Sequence, residues 1–276
     1  AICSSFLGET MLPGVSINTK KDGTTYYRSS ITYKNKHISL GSFSNEEEAF
    51  QAYLDALNLT KTSSITINND FSSYTLPFSK IVSILNFRDH GLYFKTPIYV
   101  EQNYFLYFLD QETDLKFDLD DLFYYSTRTI SVRKGHYFVA DYGMQVTLTS
   151  RYGIRSHAVK GRDYVFVNGD ETDYRYSNIE IINPYFGVTK VIHRKRESYR
   201  VVIHLNGNFT IGYYQDLTKA AIAYNKAVDA AKDAGIKKNF QINFIDDLTN
   251  RKYAQIYSQI QLPTKYLHYI LNWNKK

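Results

Sequence analysis

The sequence predicts an α+β protein of 276 residues in which two copies of a module with three strands and one helix flank a middle domain. Three observations lead to this prediction. An internal repeat relates residues 14–57 to residues 187–231. Each copy alternates polar and apolar residues as half-buried strands do, and each ends in an alanine-rich stretch with helical spacing. After the second copy, residues 248–276 predict a helical extension.

The elements of the first copy follow from its pattern. Residues 27–32 alternate between the two faces of a strand, residues 34–36 form a turn, and residues 37–40 return as the next strand. Ser44 precedes three glutamates at 46–48, which predicts an N-cap with acidic residues in the first helical turn. Alanines on one helix face allow close packing across the sheet, so we expect the other sheet face to stay uncovered.

The second copy repeats this order. Val201 and Ile203 are the expected inward residues, and Asn206-Gly207 is a strong hairpin signal. The following helix places Ala220 and Ala223 on its inner stripe. The two copies therefore predict the same module twice.

Charge is distributed unevenly along the chain. The protein has 33 Lys and Arg against 27 Asp and Glu, a net charge of +6. Residues 184–276 contain 15 basic and 6 acidic side chains, whereas residues 1–64 are neutral and residues 65–183 are net acidic. A solvated basic surface would account for this excess, and so would a polyanionic partner, which uses it most directly.

The motifs GV, YR, LGSF or IGYY, and EEEAFQAY or KAAIAY occur in this order in the two copies. This order resembles the AP-two/ERF (ethylene-response-factor type) DNA-binding domain of plant transcription factors and its bacterial and phage relatives. The resemblance implies that the uncovered sheet face enters the DNA major groove while the helix supports it from behind. A sheet ribbon of this size fits a groove about 12 Å wide.

Carried over position by position, the resemblance implies two sets of DNA-binding residues and double-stranded DNA as the partner. The first set comprises Ser16, Asn18, Lys20, Lys21, Arg28, Ser30, Thr32, His37 and Ser39. The second comprises Thr189, Lys190, His193, Arg194, Lys195, Arg196, Arg200, His204, Asn208 and Thr210, with the apolar Val202 among them. The plant domain is rich in Arg and Trp at such positions, whereas this chain offers Ser, Thr and Asn. We therefore expect a different target sequence.

The middle of the chain, with VFVNGDETDYRYSNIEII at residues 165–182, is similar to HNH endonucleases of phage. The resemblance implies a hairpin followed by a helix. It also implies that Val165 occupies a metal-ligand position, Phe166 the general-base position and Tyr174 the position of an orienting Asn, with Asn178 alone retained. A phenyl ring neither accepts a proton nor binds a cation. We therefore expect a degenerate domain without catalysis, metal or cofactor, in which Asn178 caps or cross-braces the helix.

Other candidate sites give weaker signals. The acidic residues between Asp110 and Asp121 lack the glycine and terminal glutamate of a calcium loop, so a solvated acidic face at the start of a helix is the preferred interpretation. No pair among the seven histidines has metal-ligand spacing. The single cysteine, Cys3, excludes a disulfide framework and a cysteine-ligated zinc site.

The predicted helices at 248–276 have apolar residues at helical spacing, with a break at Leu262-Pro263. Core packing against the second module explains this pattern, and homodimer formation through these helices is the alternative.

Taken together, the predicted organisation is a DNA-binding module at 10–64, a degenerate HNH-like domain at 65–183, a second DNA-binding module at 184–247 and a helical extension at 248–276. No apolar run approaches the ~20 residues that a membrane span needs, and the start of the chain lacks the pattern of a signal peptide. We expect a cytoplasmic, nucleoid-associated transcriptional regulator.

Two other functions remain open. One is a phage-type or homing-like endonuclease with a displaced active site, in which His136 or His157 would act as the base. The other is a DNA-recognition subunit of a separate enzyme.

Overall fold

A computed structural model describes residues 11–141, 143–246 and 248–273. The described residues up to Gln145, together with Glu171–Tyr176, form one compact unit. Val146–Asp170 and the described residues from Ser177 onward form the second. This division passes through the predicted middle domain. The four-part organisation stays a prediction, and Cys3 and position 10, where its first module was expected to begin, lie outside the described residues.

The strands are short and the helices are separated by loops. In chain order the elements are β1 (Val15–Thr19), β2 (Thr25–Tyr33), β3 (Lys36–Phe43), α1 (Glu46–Lys61), α2 (Phe78–His90), β4 (Ile98–Val100), β5 (Tyr104–Phe108), β6 (Asp114–Asp118), α3 (Leu122–Ser126), β7 (Ile130–Arg133), β8 (His136–Asp141), β9 (Met144–Thr147), β10 (Tyr164–Phe166), β11 (Ile179–Ile181), β12 (Val188–His193), β13 (Arg196–His204), β14 (Asn208–Tyr214), α4 (Leu217–Asp233), α5 (Asn250–Gln259) and α6 (Thr264–Leu271).

The strands of the described residues form small sheets of two or three neighbours in chain order. The sheet orders are β1-β2-β3, β4-β5-β6, β7-β8-β9, β10-β11 and β12-β13-β14. This confirms the predicted α+β class and the order of three strands and a helix in both copies. None of the helices in the described ranges is long and apolar enough to cross a membrane.

In the first module, α1 packs on β2 and β3. Ile31, Ile38 and Leu40 of the sheet are buried with the helix alanines in one apolar cluster. The predicted N-cap was one residue early, because the side chain of Asn45, not Ser44, accepts a hydrogen bond from the Glu48 N–H at 2.8 Å. The Ser44 hydroxyl instead lies 3.4 Å from the Glu48 carboxylate.

The second module repeats this arrangement, with α4 packed on β13 and β14. Both modules depend on a glycine that precedes the first strand. Gly14 and Gly187 have positive φ angles of 75° and 69°, and a Cβ at either position would overlap the ring of Tyr53 or Tyr224 on the helix. The glycine therefore allows the helix tyrosine to pack against the chain as it enters the sheet.

The hairpin and helix predicted for the middle domain, which we call the finger, form only in part. β10 and β11 pair as an antiparallel hairpin, but the only helical turn between them is a 3-10 turn at Tyr176–Asn178. No α-helix follows the hairpin within the described residues before β12, so the expected hairpin-and-helix is wrong in its helix. The segment leads directly into the second module instead.

The acidic residues between Asp110 and Asp121 lead from a strand into a helix, as predicted. They run through β6 and a 3-10 turn, Leu119–Asp121, into α3. Leu115 and Phe117 are buried while Asp114 and Asp118 are half-exposed. Asp121 departs from the expected solvated face, because it is buried.

The tail helices pack against the second module, as the core-packing interpretation requires. α5 and α6 both contact α4. Ile260, Tyr266 and Ile270 are buried in the cluster of that module. The hydroxyl of Tyr266 donates to the Ala227 carbonyl at 2.6 Å. The break falls where it was predicted, with Pro263 at the N-cap of α6. Homodimer formation stays a prediction.

Candidate nucleic-acid interface

The face of the first sheet opposite α1 is the first candidate interface, and we call it the N face. Residues directly opposite each other on antiparallel strands point to the same side of the sheet, so the strand register defines its rows. The rows are Asn18 with Tyr26, Ser16 with Arg28 and Ser42, Ser30 with Ser39, and Thr32 with His37. Seven predicted site residues therefore share one face.

The core on the other side of the sheet determines which residues lie on the N face. Ser29 and Ile31 are buried under the helix, which turns Arg28 and Thr32 outward by strand alternation. A bulge between Ser29 and Ser30 inserts one extra residue, Leu40, into β3.

Arg28 is the one arginine or lysine on the rows of the N face, since Lys36 of β3 lies opposite Tyr33 on the other side of the sheet. Its guanidinium lies over the ring of Tyr26, 5.4 Å from the ring centroid. This contact restrains the long side chain near the middle of the sheet while leaving it exposed. The Asn18 amide lies 3.3 Å from the Ser16 carbonyl, next to the same row.

The corresponding face of the second sheet is the C face. Its rows are His193 with Arg196, Val191 with Ser198, Thr189 with Arg200 and Tyr213, Val202 with Thr210, and His204 with Asn208. The bulge recurs between Val201 and Val202, and the backbone N–H of Val202 donates to the Gly187 carbonyl at 2.7 Å, as that of Ser30 does to Gly14 at 2.9 Å. The two faces are thus equivalent position by position.

Side-chain hydrogen bonds order the C face. Arg200 donates to the Thr210 hydroxyl at 3.0 Å, and the ring of His204 lies 2.9 Å from the Asn208 amide oxygen. Arg200 is exposed like Arg28, so each module presents an arginine at the same place on its central strand, and β13 presents Arg196 as well.

Two rings cross the C face. His193 on β12 and Tyr213 on β14 stack with centroids 3.9 Å apart and planes at 14°. Since β13 lies between these strands, the stacked pair passes over the central strand, where Ser198 is only 1% exposed. The N face has Ser42 in place of Tyr213, so this feature belongs to the second module alone.

The turn between β12 and β13 carries the basic segment at 193–196. Arg194 and Lys195 have positive φ angles of 50° and 63°, the arrangement of a type I′ turn. Asn and Gly are the residues that normally occupy such positions, because long side chains are strained there. Two cations therefore stand exposed at the tip of the hairpin in an unfavourable backbone conformation.

The first module has basic residues at the equivalent turn. Lys20 and Lys21 are exposed between β1 and β2, where the N–H of Lys20 donates to the Thr24 carbonyl at 2.9 Å. Their charge is offset in part by the neighbouring Asp22, which holds Thr24 N–H at 2.9 Å.

Lys190 does not join the C face. It lies opposite Tyr199, on the side of the sheet where Tyr199 and Tyr214 pack against the core. Its ammonium is 3.1 Å from the Glu197 carboxylate, which raises the pKa of Lys190. The assignment of Lys190 to the interface is therefore corrected: strand alternation turns it away from its neighbour Thr189.

Neither face contains a carboxylate on any row of its described strands, although acidic residues occur elsewhere in the same modules. The sheet formed by β4, β5 and β6 provides a comparison within the chain. Its half-exposed side carries Asp114 and Asp118 beside Lys116. The N face and the C face thus combine positive charge with hydroxyl, amide and ring groups, which suits an anionic partner.

Five face residues were missed by sequence reasoning: Tyr26, Ser42, Val191, Ser198 and Tyr213. Ser42 and Tyr213 lie beyond the bulge, which shifts the alternation of the third strand. The glycine that follows Leu40 or Ile211 is the signal that could have located it, because an isolated glycine inside a strand often marks a bulge. Tyr26 could have been found from alternation with Arg28.

In the finger, Val165 and Phe166 lie on β10, paired with Glu180 and Ile179. Asn178 is buried and holds the loop before it. Its side-chain oxygen accepts the Asn168 N–H at 2.8 Å, and its amide lies 3.2 Å from the Asp170 carbonyl. The helix that Asn178 was expected to cap or cross-brace does not form in the described residues, and Asn178 holds the loop instead.

A buried ion-pair network lies beside the finger. Asp163, 1% exposed at its side chain, receives Arg155 at 2.8 Å, Arg162 at 2.7 Å and the Val159 N–H at 2.8 Å. Burial raises the pKa of Asp163, but the hydrogen bonds from Arg162 and Val159 and the charge of Arg155 outweigh it and hold that pKa below its usual value. The network is structural.

The two alternative base residues are not grouped with metal ligands. His136 is exposed at the start of β8, and His157 lies in a turn with a φ of 64°. In the described ranges, no group of three or more His, Cys, Asp or Glu side chains is placed to hold a metal ion.

Three comparisons with known proteins complete this description. The chain matches no protein-family profile, no curated protein and no solved structure.

Proposed function

We propose that this chain is a sequence-specific double-stranded DNA-binding protein that acts without catalysis, as a nucleoid-associated transcriptional regulator in the cytoplasm. One observation carries the proposal: the same open sheet face, with a central arginine and no carboxylate, occurs twice in one chain.

The dimensions of each face suit a groove of DNA. Neighbouring strands lie about 4.8 Å apart, so three strands span about 10 Å. The major groove of B-form DNA is about 12 Å wide and presents hydrogen-bonding groups that differ for each base pair. Hydroxyl, amide and guanidinium groups on the faces are suited to contact base edges and phosphates.

The two faces differ in chemistry, which supports a division of roles. The C face has Arg196, Arg200 and the basic turn, in a part of the chain with a large positive excess. The N face has one arginine among small hydroxyl groups, in a neutral part of the chain. Phosphate contacts supply most of the affinity and base contacts the specificity. The second module accordingly supplies most of the nonspecific affinity.

The proposal of binding without catalysis rests on the finger. Val165 and Phe166 stand where the related nucleases are expected to carry polar catalytic groups, and Asn178 is engaged in bracing the loop. DNA binding should therefore persist in EDTA.

The direct test is selection of bound duplexes from a random pool, followed by anisotropy titration of the selected duplex against a scrambled one. We expect preference for the selected duplex, unchanged by EDTA. The logarithm of affinity should fall linearly with the logarithm of salt, by about 0.9 for each phosphate contacted. Equal affinity for both duplexes, or no salt dependence, would refute the proposal.

A second experiment separates binding from cleavage. The full chain is incubated with supercoiled plasmid in magnesium or manganese and the topology is followed by electrophoresis. We expect the plasmid to stay supercoiled. Nicking that His136→Ala or His157→Ala abolishes would establish the endonuclease instead.

A further inference from the structure

A cavity of about 530 Å³ lies between the β13–β14 turn and one side of α6, together with the residues that follow this helix. Each side chain that lines it carries an N–H or O–H donor, and none is a carboxylate. The lining residues are Asn206, Lys265, His268, Tyr269, Asn272 and Trp273. A cavity lined by donors and cations suits an anion.

The helix that carries most of these residues is firmly held. Tyr266 is buried and bonded to the Ala227 carbonyl. The ring of Tyr269 packs 4.3 Å from that of Phe209, centroid to centroid, and 5.8 Å from that of Trp273. The lining of the cavity is therefore positioned by the core of the second module, and a ligand would meet a largely preformed site.

The positive charge around the cavity is not neutralised locally. Lys265 and His268 are exposed, and neither forms an ion pair with any residue that the structure describes. Lys238 donates to the carbonyls of His204 and Leu205 at 2.8 and 3.4 Å, which adds a cation beside the turn. Asn272 donates one amide hydrogen to the His268 carbonyl and has a second to offer.

The cavity lies beside the turn at which the C face ends, on the side of the sheet where Tyr269 of α6 packs against Phe209. His204 and Asn208 form the last row of that face and flank the turn that contains Asn206. The basic turn lies at the other end of β13, roughly 26 Å away at about 3.3 Å per residue. Cations thus stand at both ends of the face.

We propose that this cavity binds a phosphate group, and that its occupant is a backbone phosphate of DNA that lies on the C face. Lys265 supplies charge, the ring of His268 and the amides of Asn206 and Asn272 supply N–H donors, and Trp273 offers a ring against the adjoining nucleotide. The choice of DNA as the source rests on the proposed function, whereas the phosphate chemistry rests on the lining alone.

The test uses Trp273, which is the single tryptophan of the chain and so reports directly on the cavity. Its fluorescence is followed in the full chain during titration with inorganic phosphate, AMP and duplex DNA, while anisotropy of a labelled duplex measures DNA affinity separately. The variant is Lys265→Gln/His268→Gln. Lys252→Gln, an exposed lysine of α5 outside the cavity, is the matched control.

We expect a saturable fluorescence change with at least one of the three probes, weakened about tenfold in the double variant and unchanged in the control. A fluorescence change with DNA, together with a weaker salt dependence of DNA affinity in the double variant, assigns the site to the duplex. A change with AMP or inorganic phosphate alone assigns it to a free phosphate compound and refutes the DNA assignment. No change with any probe, or a change that survives the double substitution, overturns the phosphate site. DNA binding by anisotropy without a Trp273 response leaves the proposed function intact.

Discussion

Arg28 and Arg200 are equivalent residues of two copies of one sheet, each exposed on the central strand between a residue of the first strand and one of the third. Arg28 lies opposite Ser16 and Ser42, and Arg200 opposite Thr189 and Tyr213. If Arg200 reads a base, Arg200→Ala should cost about 1–3 kcal/mol of binding free energy and relax preference at one position. If it holds a phosphate, binding should weaken evenly and the salt slope should fall by about one. Anisotropy titrations across duplex variants distinguish the two.

The same measurement applies to Arg28→Ala, with Lys61→Ala at the end of α1 as the control for loss of charge. Unchanged affinity and preference for both arginine variants in a folded protein would refute the sheet-in-groove arrangement.

Ser29 is a position at which we expect a substitution to stabilise the folded protein. Its hydroxyl is buried without a hydrogen-bond partner among the described residues, and Val201 occupies the equivalent position in the second copy. Ser29→Val should raise the free energy of unfolding by about 1 kcal/mol, because it removes an unsatisfied polar group and adds apolar burial. Urea denaturation followed by circular dichroism measures the change. The reverse substitution, Val201→Ser, should destabilise the second module. A loss of stability in Ser29→Val would show that the first core lacks space for the added methyl group.

The basic turn predicts opposite effects on stability and binding. Arg194→Asn/Lys195→Gly replaces two residues at positive φ with those that favour it, so stability should rise by about 1–2 kcal/mol. DNA affinity should fall, with a salt slope smaller by about two, because two cations are lost. Thermal unfolding and anisotropy titration are the two measurements. Lys134→Asn, in the β7–β8 turn at a φ of 49°, is the control that should stabilise without loss of affinity. Full DNA affinity in the double variant would show that the basic turn does not contact DNA.

The Asp163 network predicts a defined pH dependence. A carboxylate whose pKa is lowered in the folded state stabilises it above the usual value of 3.8, and this contribution is lost as pH falls below that value. Asp163→Asn should therefore be less stable than the original protein at pH 7, by about 3 kcal/mol, since the largely buried Arg155 and the half-exposed Arg162 lose their charged partner.

The difference between Asp163→Asn and the original protein should shrink as pH falls below 3.8. Urea unfolding followed by Trp273 fluorescence, which reports on the same unit, measures it at each pH. A difference that stays constant down to pH 3 would show that the carboxylate is not held ionised by its neighbours.

Much of the two modules could be predicted because the sequence repeats its own pattern. Alternation in β2 and β13 identified the outward residues, and the alanine stripes located the helices. The exact helix start was missed, since Ser44 and Asn45 are both good caps and only geometry decides between them. Lys190 was included beside Thr189, although neighbouring strand residues point to opposite faces and Lys190 lies opposite Tyr199.

The rings over the C face and the cavity beside α6 could not be predicted. Both join residues that are distant in sequence: His193 with Tyr213, and Asn206 with Trp273. Short-range periodicity contains no information on such pairs. The helix predicted for the finger is absent for a related reason. The resemblance rested on a few residues around the loop, and the hydrogen bonds of Asn178 hold that loop without a helix.

The glycine and tyrosine pairs, Gly14 with Tyr53 and Gly187 with Tyr224, lie on the side of each module that faces its helix. Each scaffold is therefore determined on its helix side, whereas the residues of the N face and the C face point away from the helix. Exchanging the outward strand residues between the copies should therefore change what each face presents while the packing of the glycine and tyrosine pair stays the same. One scaffold can in this way carry a hydroxyl-rich surface in its first copy and an aromatic, basic surface in its second.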